Sequence, residues 1–250
     1  MNDAHRLNRA QYGAVAANYA TSESHAGGDD LAWFSARAAS VAPGLALDVA
    51  CGGGFSTRAL AAAGHRVLAT DLTPESVVAA RAASTGERRI AWAVGAAERL
   101  PVATGTMNVA ACRIAPHHFA DIAAFVDEVA RVLAPGGMVL LVDTTVPEDE
   151  ELARWLDDVE RRRDPSHQRS WTPSRWRAVL SGARLTVNET QLYRKRHELA
   201  PWLARSGCTG AAADEVRAAF ANAPERARSA YLIDDVSYTD TKVCLRATKP

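Results

Sequence analysis

The segment of this 250-residue sequence best suited to hold a ligand is Leu47-Asp48-Val49-Ala50-Cys51-Gly52-Gly53-Gly54-Phe55. An acidic residue sits in an apolar run, and three glycines follow it. Glycine lets a backbone approach a ligand closely and take up positive φ. Asp71 closes a second apolar run, 19 residues after Gly52. An acid at that place can accept hydrogen bonds from ribose hydroxyls. A dinucleotide does not fit, because the G-x-G-x-x-G register puts Phe55 or Thr57 where its third glycine belongs. Further along, His117 and His118 end a fourth apolar run. Imidazole titrates near neutral pH, so either can act as a base, or simply bond its own loop. The run Arg161-Arg162-Arg163-Asp164-Pro165-Ser166-His167 offers arginines for an acidic or phenolic substrate and His167 as a second base. The plainer reading of Arg161 and Arg162 is a solvated charge run. Trp155, Trp171 and Trp176 either line an aromatic-tolerant pocket or pack helices and turns.

The elements that must position these residues follow from the apolar pattern. Strands are expected at Leu45–Ala50, Arg66–Thr70, Ile90–Val94, Met107–Arg113 and Met138–Asp143. Helices fall between them at Ser56–Ala63, Pro74–Ser84 and Ile122–Leu133, and Pro135-Gly136-Gly137 reads as a turn. Strands alternating with helices imply βαβ units and a parallel sheet covered on both faces. Later segments read as helices at Glu148–Arg163, Thr172–Leu180, Pro201–Arg205 and Ala211–Ala221, and as strands at Arg184–Arg196 and Tyr238–Thr248. Helical patterns over Ala10–Tyr19 and Asp30–Ser40 precede the first strand.

Composition narrows the function. Apolar residues make up 48%, enough for a core without disulfides, and the formal charge is zero. Phosphate-binding proteins usually carry a basic footprint, so nucleic acid is not the expected partner. Cys51, Cys112, Cys208 and Cys244 are scattered and lack any C-x-x-C pairing, so no metal site or disulfide framework is expected. No apolar run approaches the roughly 20 residues of a membrane span, and Met1–Arg9 is polar. The expectation is a cytoplasmic protein with no membrane partner and an oligomeric state the sequence leaves open.

Four ordered segments then carry a resemblance. The loop after Asp48 resembles the D-x-G-x-G-x-G motif of class I methyltransferases, with Ala50 at the first glycine. Gly95-Ala96-Ala97-Glu98-Arg99-Leu100-Pro101, Cys112-Arg113-Ile114-Ala115-Pro116-His117-His118-Phe119 and Arg131-Val132-Leu133-Ala134-Pro135-Gly136-Gly137 resemble the family's segments after the third and fourth strands and before the fifth. Together they cover about Leu45–Asp143, and they are most similar to the ubiquinone/menaquinone-biosynthesis-like, or type 11, small-molecule methyltransferases. The resemblance implies a Rossmann-like α/β fold. Its seven-stranded, mostly parallel sheet would have an antiparallel last strand, helices on both faces and a helical N-terminal lid. It implies one domain over 1–250: lid 1–40, core 41–145, substrate-side insert 146–182 and the rest of the sheet 183–250.

It also implies S-adenosyl-L-methionine (AdoMet) as cofactor. Asp48, Ala50, Gly52 and Gly54 belong to the loop at its methionine part. Asp71 and Leu72 hold the ribose and flank the adenine. Ala96, Ala97 and Glu98 border the adenine edge, and Arg113 starts the loop beneath the methionine tail. Ala96 stands where the family usually has an aspartate, which would weaken the cofactor's hold by about 1 kcal/mol or more. Tyr19 and His25 resemble the aromatic residue and histidine of the family's lid. His118, His117 and His167 are the candidate bases. The expected activity is methyl transfer to carbon or oxygen of a small molecule. The departures at Ala50 and Ala96 leave open a protein that binds AdoMet without transferring methyl, such as a cyclase. A tRNA or protein methyltransferase would need a basic face or a dedicated binding appendage, and the N-P-P-Y-type segment that marks amide and base N-methylation is replaced by Arg113-Ile114-Ala115-Pro116.

Overall fold

The computed structural model describes residues 2–250. In chain order it runs α1 (Asp3–Ala20), α2 (Glu23–Ala26), α3 (Asp29–Ala38), β1 (Leu45–Val49), α4 (Phe55–Ala62), β2 (Arg66–Asp71), α5 (Pro74–Ala82), β3 (Ile90–Val94) and β4 (Met107–Arg113). A short 3-10 turn at Pro116–His118 follows. Next come α6 (Ile122–Val132), β5 (Leu133–Thr145), α7 (Glu150–Arg163), α8 (Pro173–Gly182) and β6 (Thr186–Glu198). The chain ends with α9 (Leu199–Arg205), α10 (Gly210–Ala221), α11 (Glu225–Ala230) and β7 (Ser237–Thr248). The seven strands form one sheet in the order β3-β2-β1-β4-β5-β7-β6. β1 through β5 pair in parallel, and β7 inserts antiparallel between β5 and β6. This is the Rossmann-like arrangement expected, with its antiparallel last strand.

The central strands are apolar because both their faces are covered. One face packs on α6 and α8 through fully buried side chains such as Phe125, Val132, Trp176 and Leu180. The other packs on α3 and α4 through Phe34 and Leu60. A third cluster lies under α7 and α9–α11, built on Leu156, Trp202, Phe220 and Tyr238. Helix starts follow the polar caps: Asp121 accepts from Ala124 N at 3.0 Å, and Asp149 from Glu151 N at 3.0 Å.

Three segments differ from their sequence pattern, the first being the four-residue α2, which the sequence reads as a polar loop. Pro135-Gly136-Gly137 is absorbed into β5 as an irregularity, where the pairing with β4 slips between Met107 and Val109. Gly136 takes φ +75° and donates its N–H to Lys249 O, so the bend stays within the sheet. The six-residue α11 was not anticipated, being too short to show a period.

The strand order reverses on either side of β1, so a crevice opens between the carboxyl ends of β1 and β4. Helix α1 lies over it, resting on α5 and α9. No helix among the described residues is long and apolar enough to cross a membrane. All four cysteines are buried and unpaired.

Candidate active site

The crevice encloses about 930 Å³, its open mouth included. Ala50, Gly52, Asp71, Leu72, Ala97, Glu98 and Arg113, all singled out from the sequence, line it from the sheet side. Asp71 is buried, and its two oxygens accept from Gly52 N at 3.0 Å and Thr73 N at 2.9 Å. Burial pushes its carboxyl up, against those two bonds. The Thr73 hydroxyl bonds the same carboxylate, which still keeps acceptor capacity at the crevice wall. Gly52 has φ +48°, and no atom lies within 4 Å of where a Cβ would stand, so its missing side chain leaves the crevice open.

Ala50 lies half-buried at φ +55°, where a glycine would sit without strain. The family's glycine at this position thus has a backbone reason that survives its loss. Replacing Ala50 with glycine should stabilise the fold by about 1 kcal/mol. Thermal unfolding should show it as a rise of roughly 2–4 °C in Tm. A fall in Tm would mean that Ala50 carries no strain. Ile114, next to Arg113, is a β-branched residue at φ +53°. Such strain collects at functional loops.

Three expected cofactor residues do not reach the crevice. Asp48 is fully buried behind the loop, where one carboxylate oxygen accepts from Ser56 Oγ at 2.8 Å and from Thr57 Oγ1. Burial pushes its carboxyl up to about 6. Its chemistry is to pin the first turn of α4 to β1. Gly54 is the left-handed cap of α4, packed against Arg58 and Ala80. Ala96 makes a local bridge with Arg99 and turns away from the crevice.

The lid supplies more than its two expected members. Tyr19 and His25 both line the crevice, with rings 5.5 Å apart, and Ser22 Oγ lies 2.8 Å from His25 Nδ1. Burial, then Arg205 and Arg113, hold the His25 imidazole well below its usual pKa. His5, Asn8 and Tyr12 from α1 join them, and sequence reasoning gave them no such role. Their spacing with Tyr19 is one helical stripe of polar and aromatic residues, a signal present in the sequence. His5 Nε2 meets Glu98 Oε2 at 3.1 Å, and Asn8 donates to His118 O at 2.9 Å, so the lid is bonded across the crevice.

The histidines separate into different surroundings. His118 is buried, lines the crevice, and places Nε2 2.6 Å from Tyr12 Oη. Its Nδ1 is 3.1 Å from Ser166 Oγ, which donates to Asp164 Oδ1 at 2.6 Å. Because Ser166 spends its proton on Asp164, the His118 proton belongs on Nδ1, and Nε2 is left as an acceptor. Burial and the neighbouring His117 hold His118 well below the usual imidazole pKa. Burial pushes the Tyr12 phenol well above its usual value.

His117 instead faces Asp143, Nδ1 to Oδ1 at 2.5 Å. Burial opposes its charge, but Asp143 outweighs burial and raises its pKa. His117 does not line the crevice but a second, polar cavity of about 510 Å³ on the far side of Tyr12 and His118. His167 reaches neither. It is 3% exposed and holds Asp157 at 2.8 Å, so the expected second base is a buried brace. The tryptophans expected as pocket lining are also elsewhere. Trp176 is in the core, Trp171 packs on it, and Trp155 stacks on Tyr231. Trp202, not singled out from the sequence, does line the polar cavity.

Tyr12, Tyr19, His25, Ile114 and His118 face both spaces, so they form the partition between crevice and polar cavity. Residues 47–141 match the methyltransferase domain model of type 11. YcgJ of Bacillus subtilis, described as a methyltransferase, is 30% identical over 228 residues, covering 90% of each chain. The chain is a class I methyltransferase of the type 11 family. A solved methyltransferase structure from Bacillus halodurans superposes with a TM-score of 0.83 at 32% identity, covering 89% of this chain and all of the other. The demethylmenaquinone methyltransferase of Clavibacter sepedonicus is 27% identical over 186 residues, 72% of this chain and 73% of that one.

Proposed function

We propose that this methyltransferase uses AdoMet to methylate carbon or oxygen of a small molecule. The observation that carries the reading is a crevice bearing the Asp71 carboxylate and the open backbone of Gly52, separated from a second cavity by a thin wall containing Tyr12 and His118. The crevice fits the cofactor's two ends. Asp71 can accept from ribose hydroxyls with its remaining acceptor capacity, and Leu72, Ala97 and Glu98 would border the adenine. Ala50, Gly52 and Arg113, which line the same crevice, would hold the methionine part. When bound, AdoMet supplies an electrophilic methyl on a sulfonium.

The chain's own task is alignment, exclusion of water, and acceptance of a proton. Helix α1 covers the crevice, and the unprotonated Nε2 of His118 can take the acceptor's proton through the Tyr12 hydroxyl, or directly once that hydroxyl turns to Asp164 Oδ2, 3.3 Å away. Ser166 and Asp164 hold the imidazole in the tautomer this requires. The Clavibacter relative, named for demethylmenaquinone, supports a small acceptor.

Calorimetric titration with AdoMet and S-adenosylhomocysteine tests the reading. Folded protein that binds neither below about 1 mM, an affinity of only about 4 kcal/mol, would end it. Asp71→Ala should weaken both by roughly 10- to 100-fold, the effect of losing hydrogen bonds to a charged group. Unchanged affinity would refute the ribose assignment.

A further inference from the structure

The polar cavity beyond the partition does not have balanced charges. Arg163, Lys195, Arg205 and Lys242 line it, against the carboxylates Glu160 and Asp240. Three of the four cations are engaged. Arg163 lies 3.2 Å from Glu160 and donates to Trp202 O at 3.1 Å. Lys242 is 2.6 Å from Asp240 and 2.7 Å from Thr144 Oγ1. Lys195 donates to Ser24 O at 2.5 Å and sits 3.4 Å from Asp30. Arg205 is different. No carboxylate lies within 4.0 Å of its guanidinium among the described residues, and its Nε is buried with no acceptor. The carbonyl end of α9 favours a cation at Arg205 but gives that N–H nothing to bond. The side chain is half-buried, and its one buried N–H is left without the acceptor that an anion could supply.

Arg205 also faces the surface. With Ser24, His197 and Trp202 it lines a surface groove of about 780 Å³ as well as the polar cavity. Groove and cavity thus share a wall containing Arg205, and cavity and crevice share the Tyr12–His118 partition, so Arg205 and the partition bound the cavity on two sides.

We propose that the methyl acceptor carries an oxyanion, a carboxylate or a phosphate, which pairs with the Arg205 guanidinium while its reacting end lies against Tyr12 and His118. Arg suits this because its planar fork matches both groups. The proposal rests on the methyltransferase reading above and specifies its acceptor.

The test is calorimetry on the full chain saturated with S-adenosylhomocysteine, using benzoate and phenyl phosphate as probes and benzamide as their neutral counterpart. At least one anion should bind wild-type protein about tenfold or more tighter than benzamide. Arg205→Gln should erase that preference, and Arg205→Lys should keep part of it. S-adenosylhomocysteine affinity should be the same in all three, which also shows that the variants fold. Which anion binds separates carboxylate from phosphate. No anion binding to wild type, equal binding of benzamide, or a preference that survives Arg205→Gln would each overturn the proposal. Failure of S-adenosylhomocysteine to bind would instead sink the methyltransferase reading.

Discussion

Replacing His118 with alanine should slow methyl transfer by about 10²–10⁴-fold, the usual contribution of a positioned general base. The loss should appear in kcat at saturating donor, with S-adenosylhomocysteine affinity changed by less than about threefold. The reason is the hydrogen-bond chain Asp164–Ser166–His118–Tyr12. Asp164 accepts from Ser166, Ser166 accepts from Nδ1–H, and Nε2 therefore faces Tyr12 with its lone pair. Tyr12→Phe removes the hydroxyl but leaves Nε2, so its effect should be smaller, about tenfold. Asp164→Asn should disturb the tautomer without touching the acceptor, and imidazole nitrogen shifts would report it. The pH profile gives a second check. Burial and His117 depress the His118 pKa, so the base stays unprotonated through neutral pH. The acid limb of the wild-type rate should therefore fall below the usual imidazole value of 6.5, and it should vanish in His118→Ala. An unchanged kcat in that variant would remove His118 from the chemistry.

The sequence made the crevice readable and left the polar cavity obscure, for physical reasons. β1, β2 and β4 are buried on both faces, so they appear as apolar runs whose carboxyl ends can be placed to within a residue or two. Asp71 and Gly52 follow from those ends. Asp48 shares the same motif, yet its carboxylate turns back to Ser56 and Thr57, because a fully buried acid takes the nearest donors. No spacing rule shows that choice. The Asp164-Pro165-Ser166-His167 run offers a histidine as base, but Ser166, backed by Asp164, is what reaches His118, while His167 turns to Asp157. Side-chain direction within a loop depends on what the loop folds against. The polar cavity is harder still to read. It gathers Arg163, Lys195, Arg205 and Lys242 from α7, β6, α9 and β7, elements brought together only by the insertion of β7 between β5 and β6.

The second large effect should be on stability. Arg113→Met should destabilise the protein by about 3–5 kcal/mol, as expected when one partner of a buried pair is removed. Arg113 Nη2 and Nε lie 2.6 and 2.9 Å from Asp30 Oδ2, and both residues are buried. Nη1 also donates to His25 O at 3.2 Å, so the same side chain ties the lid to the end of β4. Without Arg113, Asp30 keeps only Lys195, at 3.4 Å. Acid should reveal the cause. Burial opposes ionisation of Asp30, but Arg113 and Lys195 overcome it and hold the folded pKa below the ordinary 3.8. In the wild type the unfolded chain thus binds more protons between those two values, and stability is lost as pH falls through them. In Arg113→Met burial dominates, the folded pKa rises above the unfolded one, and protonation of Asp30 favours the folded state. The deficit of the variant, measured by denaturant unfolding, should therefore be largest at neutral pH and shrink toward pH 4. The double variant Arg113→Met/Asp30→Asn should be more stable than the sum of its two single changes implies, because no charge is left unpaired. A deficit that stays constant with pH would assign the loss to packing of the long arginine stem, and the ion pair would no longer explain how the lid is held.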